Sequence, residues 1–120
     1  VGIAMLIGHS LWSPAQAQAV RVGGSANFDA CGSVGVPTGL NPRGDNFLAV
    51  RAGPSSRTRM RAKLRPGQRF YICETRGQWI GIVYGRGGCG VTSPIRRRQA
   101  YRGPCRSGWV FRRFVRVVAG

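Results

Sequence analysis

Four short strand-like runs, spaced along the chain and separated by turn signals, restrict this sequence to a small all-β fold. They read FLAVRAGPS from Phe47, LRPGQRFYI from Leu64, GQWIGIVYG from Gly77 and GWVFRRFV from Gly108. Leu48 and Val50 share one strand face, as do Phe70 and Ile72, and Ile80 and Ile82, because side chains alternate across a strand. Pro66-Gly67 is a turn signal, and Arg76-Gly77 marks a tight turn compatible with a hairpin. No long window carries helical periodicity, and no internal repeat is present. The stretch GPSSRTRMRAK, polar and basic around Met60, reads as a long loop.

With 120 residues the chain has room for one domain and a modest core. Its charge is lopsided: 19 basic residues face only Asp29, Asp45 and Glu74, for a net +16, and every basic residue but Lys63 is arginine. Such a field favours anionic partners without naming one.

The ends of the chain read differently from its middle. VGIAMLIGHSLW is an apolar run of about the length of a signal-peptide h-region, too short to span a bilayer, and SPAQAQA after it offers a small-x-small cleavage pattern at Ala17 and Ala19. The expectation is a signal peptide over residues 1–19 with a truncated charged region, the alternative being an N-terminal core helix, then an irregular lead-in over 20–46 with a short strand near Val20 to Val22, and the domain proper over 47–118. Cleavage after Ala19 removes His9, the only histidine. The mature chain then has no transmembrane span and is periplasmic or secreted.

Four cysteines in a small exported domain suggest disulfides. Cys31, Cys73, Cys89 and Cys105 form no C-x-x-C pair and have no nearby histidine, a poor match to zinc. Three pairings are possible. If the strand ending at Tyr84 neighbours the one opening at Trp109, a Cys89–Cys105 bond closes the base of the Gly- and Arg-rich insertion between them, leaving Cys31–Cys73. Closing a loop of about fifteen residues is worth roughly 3 kcal/mol.

The order Leu48-Ala49-Val50-Arg51-Ala52-Gly53-Pro54-Ser55, Leu64-Arg65-Pro66-Gly67, Gly77-Gln78-Trp79 and Gly108-Trp109-Val110 with Phe114-Val115 resembles the bacterial SH3-like domain family, small exported members included. The resemblance covers roughly Phe47 to Val118. It implies a five-stranded antiparallel barrel with a 3₁₀ turn near Arg112 to Phe114. Two features depart from the family pattern: a disulfide-closed insertion over Arg86 to Ser107 in place of a short turn, and four cysteines. The resemblance also implies a peptide platform at Trp79, Phe111 and Phe114. The structural alternative is that these aromatics cap the core. The acidic residues that flank such grooves are absent from the matching loop, where Arg57, Arg59 and Arg61 stand instead, a pattern that favours an acidic peptide or anionic glycan.

Arg96, Arg97 and Arg98, with Arg102, Arg106, Arg112 and Arg113, form the densest basic cluster, either a polyanion contact or a solvated charged surface. Interleaved Tyr101, Trp109 and Phe111 suit stacking on single-stranded nucleic acid, which an exported protein rarely meets. Catalytic material is thin: no paired carboxylates, an even cysteine count, and a GRGGCG segment lacking the Lys-Ser/Thr end of a phosphate loop. The expectation is a monomeric, non-catalytic, cofactor-free envelope module for peptidoglycan-associated peptide or another anionic envelope ligand or protein. The alternative is a secreted cationic protein that binds nucleic acid, lipopolysaccharide or a membrane surface by charge.

Overall fold

A computed structural model describes residues 15–120. The apolar run at the start of the sequence, with His9, lies outside the described residues. The described chain is all-β with one 3₁₀ turn. Its strands are β1 (Arg21–Val22), β2 (Ser33–Pro37), β3 (Leu48–Arg51), β4 (Met60–Leu64), β5 (Phe70–Arg76), β6 (Trp79–Tyr84), β7 (Gln99–Ala100), β8 (Arg106–Phe111) and, after the turn Arg112–Phe114, β9 (Val115–Ala119). Seven form one antiparallel sheet in the order β4-β3-β8-β6-β5-β2-β9, and β1 pairs with β7 in a second.

The expected five-stranded barrel is corrected in two ways. The sheet is open, since no ladder joins β4 to β9 among the described residues, and it has seven strands. One added strand, β4, comes from the stretch expected to be loop. Met60, Ala62 and Leu64 alternate with Arg61 and Lys63, and Ala62 and Leu64 pack into the core. The other, β2, comes from the lead-in and lies between β5 and β9. Gly35 makes that position possible, because a Cβ there would stand 2.9 Å from the Phe70 ring.

The main core lies on one face of the sheet and includes Leu48, Val50, Leu64, Phe70, Ile80, Ile82 and Val110. Each such side chain contributes about 1.5–3 kcal/mol by leaving water. The opposite face is covered as well. There the lead-in and the insertion are joined by Ala30 N–H to the Ser93 carbonyl, Cys31 N–H to Val91, Gly24 N–H to Ile95 and Tyr101 N–H to Val20, at 2.8–3.0 Å. Between them they bury Val22, Ala30 and Val91 against Val83 of β6. Burial on both faces explains why WIGIVY is continuously apolar rather than alternating.

Two disulfides, Cys31–Cys73 and Cys89–Cys105, hold this second layer. The first ties the lead-in to β5. The second closes the insertion, as the antiparallel pairing of β6 with β8 requires of the chain ends there. Glu74 is a third fastening. Its nearly buried carboxylate accepts the Arg21 N–H at 2.6 Å and pairs with Arg76 and Arg98, each at 3.3 Å. The irregular lead-in is therefore ordered by partners distant in sequence.

Candidate functional site: an aromatic groove

The hairpin turn after β5 places the first aromatic of the site. Gly77 takes φ 58°, a conformation that glycine adopts without steric cost, and lets β6 begin at Trp79 opposite Arg76. Trp79 is also the register partner of Phe111 at the end of β8. Their rings meet edge to face with centroids 5.3 Å apart, and Phe111 lies 6.1 Å from Phe114. The 3₁₀ turn that carries Phe114 is held at both ends: Arg112 N–H donates to the Gln78 carbonyl at 2.7 Å, and Thr38 N–H donates to the Phe114 carbonyl at 2.9 Å. Trp79, Phe111 and Phe114 are all half-buried, so each presents surface as well as packing.

These three rings line a groove of about 900 Å³, the scale of small-molecule and short-peptide sites. Its other side comes from Leu40 and Asp45 of the lead-in, Phe47, and Pro54 to Ser56 after β3. That loop is fixed from beneath. The buried Thr58 hydroxyl accepts the Gly53 N–H at 3.1 Å and lies 2.7 Å from the Ser55 carbonyl. Arg51, also at the groove, donates from Nη1 to the Thr58 carbonyl at 2.9 Å. Lys63 sits over the Phe47 ring, 4.6 Å from its centroid.

The sequence-based site is thus partly assembled and partly dispersed. Trp79, Phe111 and Phe114 come together. Phe114 additionally packs against the main core, so for this one residue the core-capping alternative also holds. Arg57 is exposed beyond the groove wall, which ends at Ser56, and Arg59 lines a different cleft. Arg96, Arg97 and Arg98 lie in the insertion just before β7, where Arg98 pairs with Glu74, and none lines the groove. The groove is not without acidic residues: Asp45, from outside the loop that holds Arg57, lines it together with Arg51.

The proposed nucleic-acid stacking set also loses members. Trp109 is fully buried, and its Nε1–H donates to the Gln18 carbonyl at 2.8 Å. The Tyr101 hydroxyl donates to the Cys89 carbonyl and accepts the Cys105 N–H, so the ring is pinned inside the insertion.

Sequence reasoning missed Phe47 and Asp45 as groove residues. Phe47 opens the first strand-like run on the face opposite Leu48 and Val50, and that alternation is the signal that could have placed it outside the core. Asp45 stands in a stretch with no period to orient it. All four cysteines are disulfide-bonded. Among the described residues no helix is long and apolar enough to cross a membrane. Comparison with family models, curated proteins and solved structures finds no match.

Proposed function

We propose that this chain is a non-catalytic binding module of the bacterial SH3-like kind, working in the cell envelope, whose aromatic groove takes a short extended peptide segment. The observation that carries the reading is the continuous Trp79–Phe111–Phe114 wall on a groove of about 900 Å³. Flat aromatic surfaces held by a sheet and a 3₁₀ turn suit an extended chain, which offers apolar side chains and backbone groups together. Peptidoglycan-associated peptide is the favoured ligand class. Two disulfides and the cationic surface suit an exported protein among anionic envelope polymers.

The mixed Asp45 and Arg51 lining supports recognition of both ends of a zwitterionic peptide rather than of negative charge alone. Titration of peptidoglycan stem peptides tests the reading. Trp79→Ala should weaken binding by about tenfold or more, the scale of a buried aromatic anchor. Affinity should survive high ionic strength, because apolar contact is not screened. Loss of binding at high salt in the unaltered protein would favour the charge-driven alternative instead.

A further inference from the structure

A second cleft, of about 460 Å³, lies where β4 runs near the start of β8, and it shares no residue with the aromatic groove. Arg59, Arg61, Arg106 and Tyr84 line it. We propose that this cleft is a phosphate-group site, with the three guanidinium groups supplying charge and forked donors and the Tyr84 hydroxyl a further donor. This site is additional to the groove and does not depend on it.

Chain geometry brings the three arginines together. Arg106 and Tyr84 are register partners across β8 and β6. Arg61 Nη1 donates to the Ser107 carbonyl at 3.1 Å, which ties β4's side chain to β8 and orients its guanidinium. Arg59 stands two residues before Arg61, just ahead of β4, and lines the same cleft. No carboxylate lines the cleft: Glu74 is engaged with Arg76 and Arg98, and Asp45 lines the groove. Three like charges gathered without a counter-charge repel one another, and an anion relieves all three pairs at once.

The shape of the demand favours phosphate over carboxylate. A carboxylate has two oxygens and fills one guanidinium fork, whereas a phosphate monoester carries nearly two charges and three acceptor oxygens for several forks. Tyr84 fits the same role. Burial pushes its phenol pKa up, outweighing the lowering by Arg106 and Arg61, so at neutral pH its hydroxyl keeps its proton and can donate it to an anion.

Titration with inorganic phosphate, followed through the arginine Nε–Hε resonances, tests the site against acetate as the carboxylate comparison. Phosphate should shift Arg59, Arg61 and Arg106 selectively and acetate should not. Arg61→Gln with Arg106→Gln should weaken phosphate binding by about tenfold or more, as for lost charge-assisted hydrogen bonds. Arg65→Gln with Arg69→Gln removes the same charge beyond the other end of β4 and should leave the affinity unchanged. Should the double variant fail to fold by circular dichroism, Arg59→Gln, an exposed side chain, should still weaken binding severalfold. Vesicles of phosphatidylcholine with and without phosphatidic acid separate the sources. Binding that requires phosphatidic acid and falls with the same variants assigns a lipid headgroup; binding of free phosphate without vesicle attachment assigns a soluble phosphate. Equal weakening by the Arg65/Arg69 pair, or shifts spread over all arginines, would overturn the proposal. Stem-peptide titrations of the Arg61/Arg106 variant read the groove separately.

Discussion

Thr58 shows how one hydroxyl can shape a groove wall it does not line. It holds the Gly53 to Ser55 turn, and that turn forms one side of the groove. Thr58→Val keeps the shape but leaves the Gly53 N–H unsatisfied, at a cost of about 1–3 kcal/mol. Denaturant unfolding should show that loss, and peptide affinity should fall with it. Gly108 is constrained differently: a Cβ there would stand 2.9 Å from the Arg51 carbonyl oxygen, so Gly108→Ala should cost about 1–3 kcal/mol by forcing β3 and β8 apart. Tyr84 adds a pH dependence. Its folded-state pKa is raised, so its contribution is intact below the unfolded value of about 10 and is lost as pH rises through the folded value. Denaturation midpoints from about pH 9 to about pH 11 should fall in the unaltered protein and fall less in Tyr84→Phe.

At the scale of elements, the N-terminal segment matters most. Gln18 N–H donates to the Ala52 carbonyl at 3.0 Å, and the Gln18 carbonyl accepts from the buried Trp109 indole. A chain that starts at Val20 leaves that indole N–H without its acceptor, and should be less stable by about 1–3 kcal/mol than one that starts at Gln18. Thermal unfolding of the two forms measures the difference. The strands with regular alternation or firm turn signals are legible in the sequence: β3 and β6 fall within two of the four runs, and β5 and β8 overlap the other two. β2 is not, because SVGVP has no polar alternation and its pairing partners lie far along the chain. β4 is hidden by Arg61 and Lys63, which make an edge strand with one solvated face look like a loop. For the same reason Arg59 and Arg61 read as a loop beside the groove, whereas both line the second cleft, Arg59 from just ahead of β4 and Arg61 from within it.

For the whole molecule, the defining arrangement is one sheet whose central strands are buried on both faces, with a lead-in and an insertion laced together over the face opposite the main core. The Cys89–Cys105 and Cys31–Cys73 bonds both join that outer layer, so replacing either pair with alanine should cost about 2–5 kcal/mol. The disulfide framework is legible in the sequence if the strands ending at Tyr84 and opening near Trp109 are neighbours, as β6 and β8 are. The site was legible only where aromatic residues sit beside turn signals, since which charges face the groove depends on loop paths that no local pattern encodes. The central claim is that recognition belongs to the aromatic groove and not to the overall charge. Backbone amide shift mapping during titration with a peptidoglycan stem peptide at high salt tests it most directly. The account predicts shifts concentrated at Phe47, Trp79, Phe111 and Phe114; shifts confined to Arg96, Arg97 and Arg98, or abolished by the salt, would contradict it.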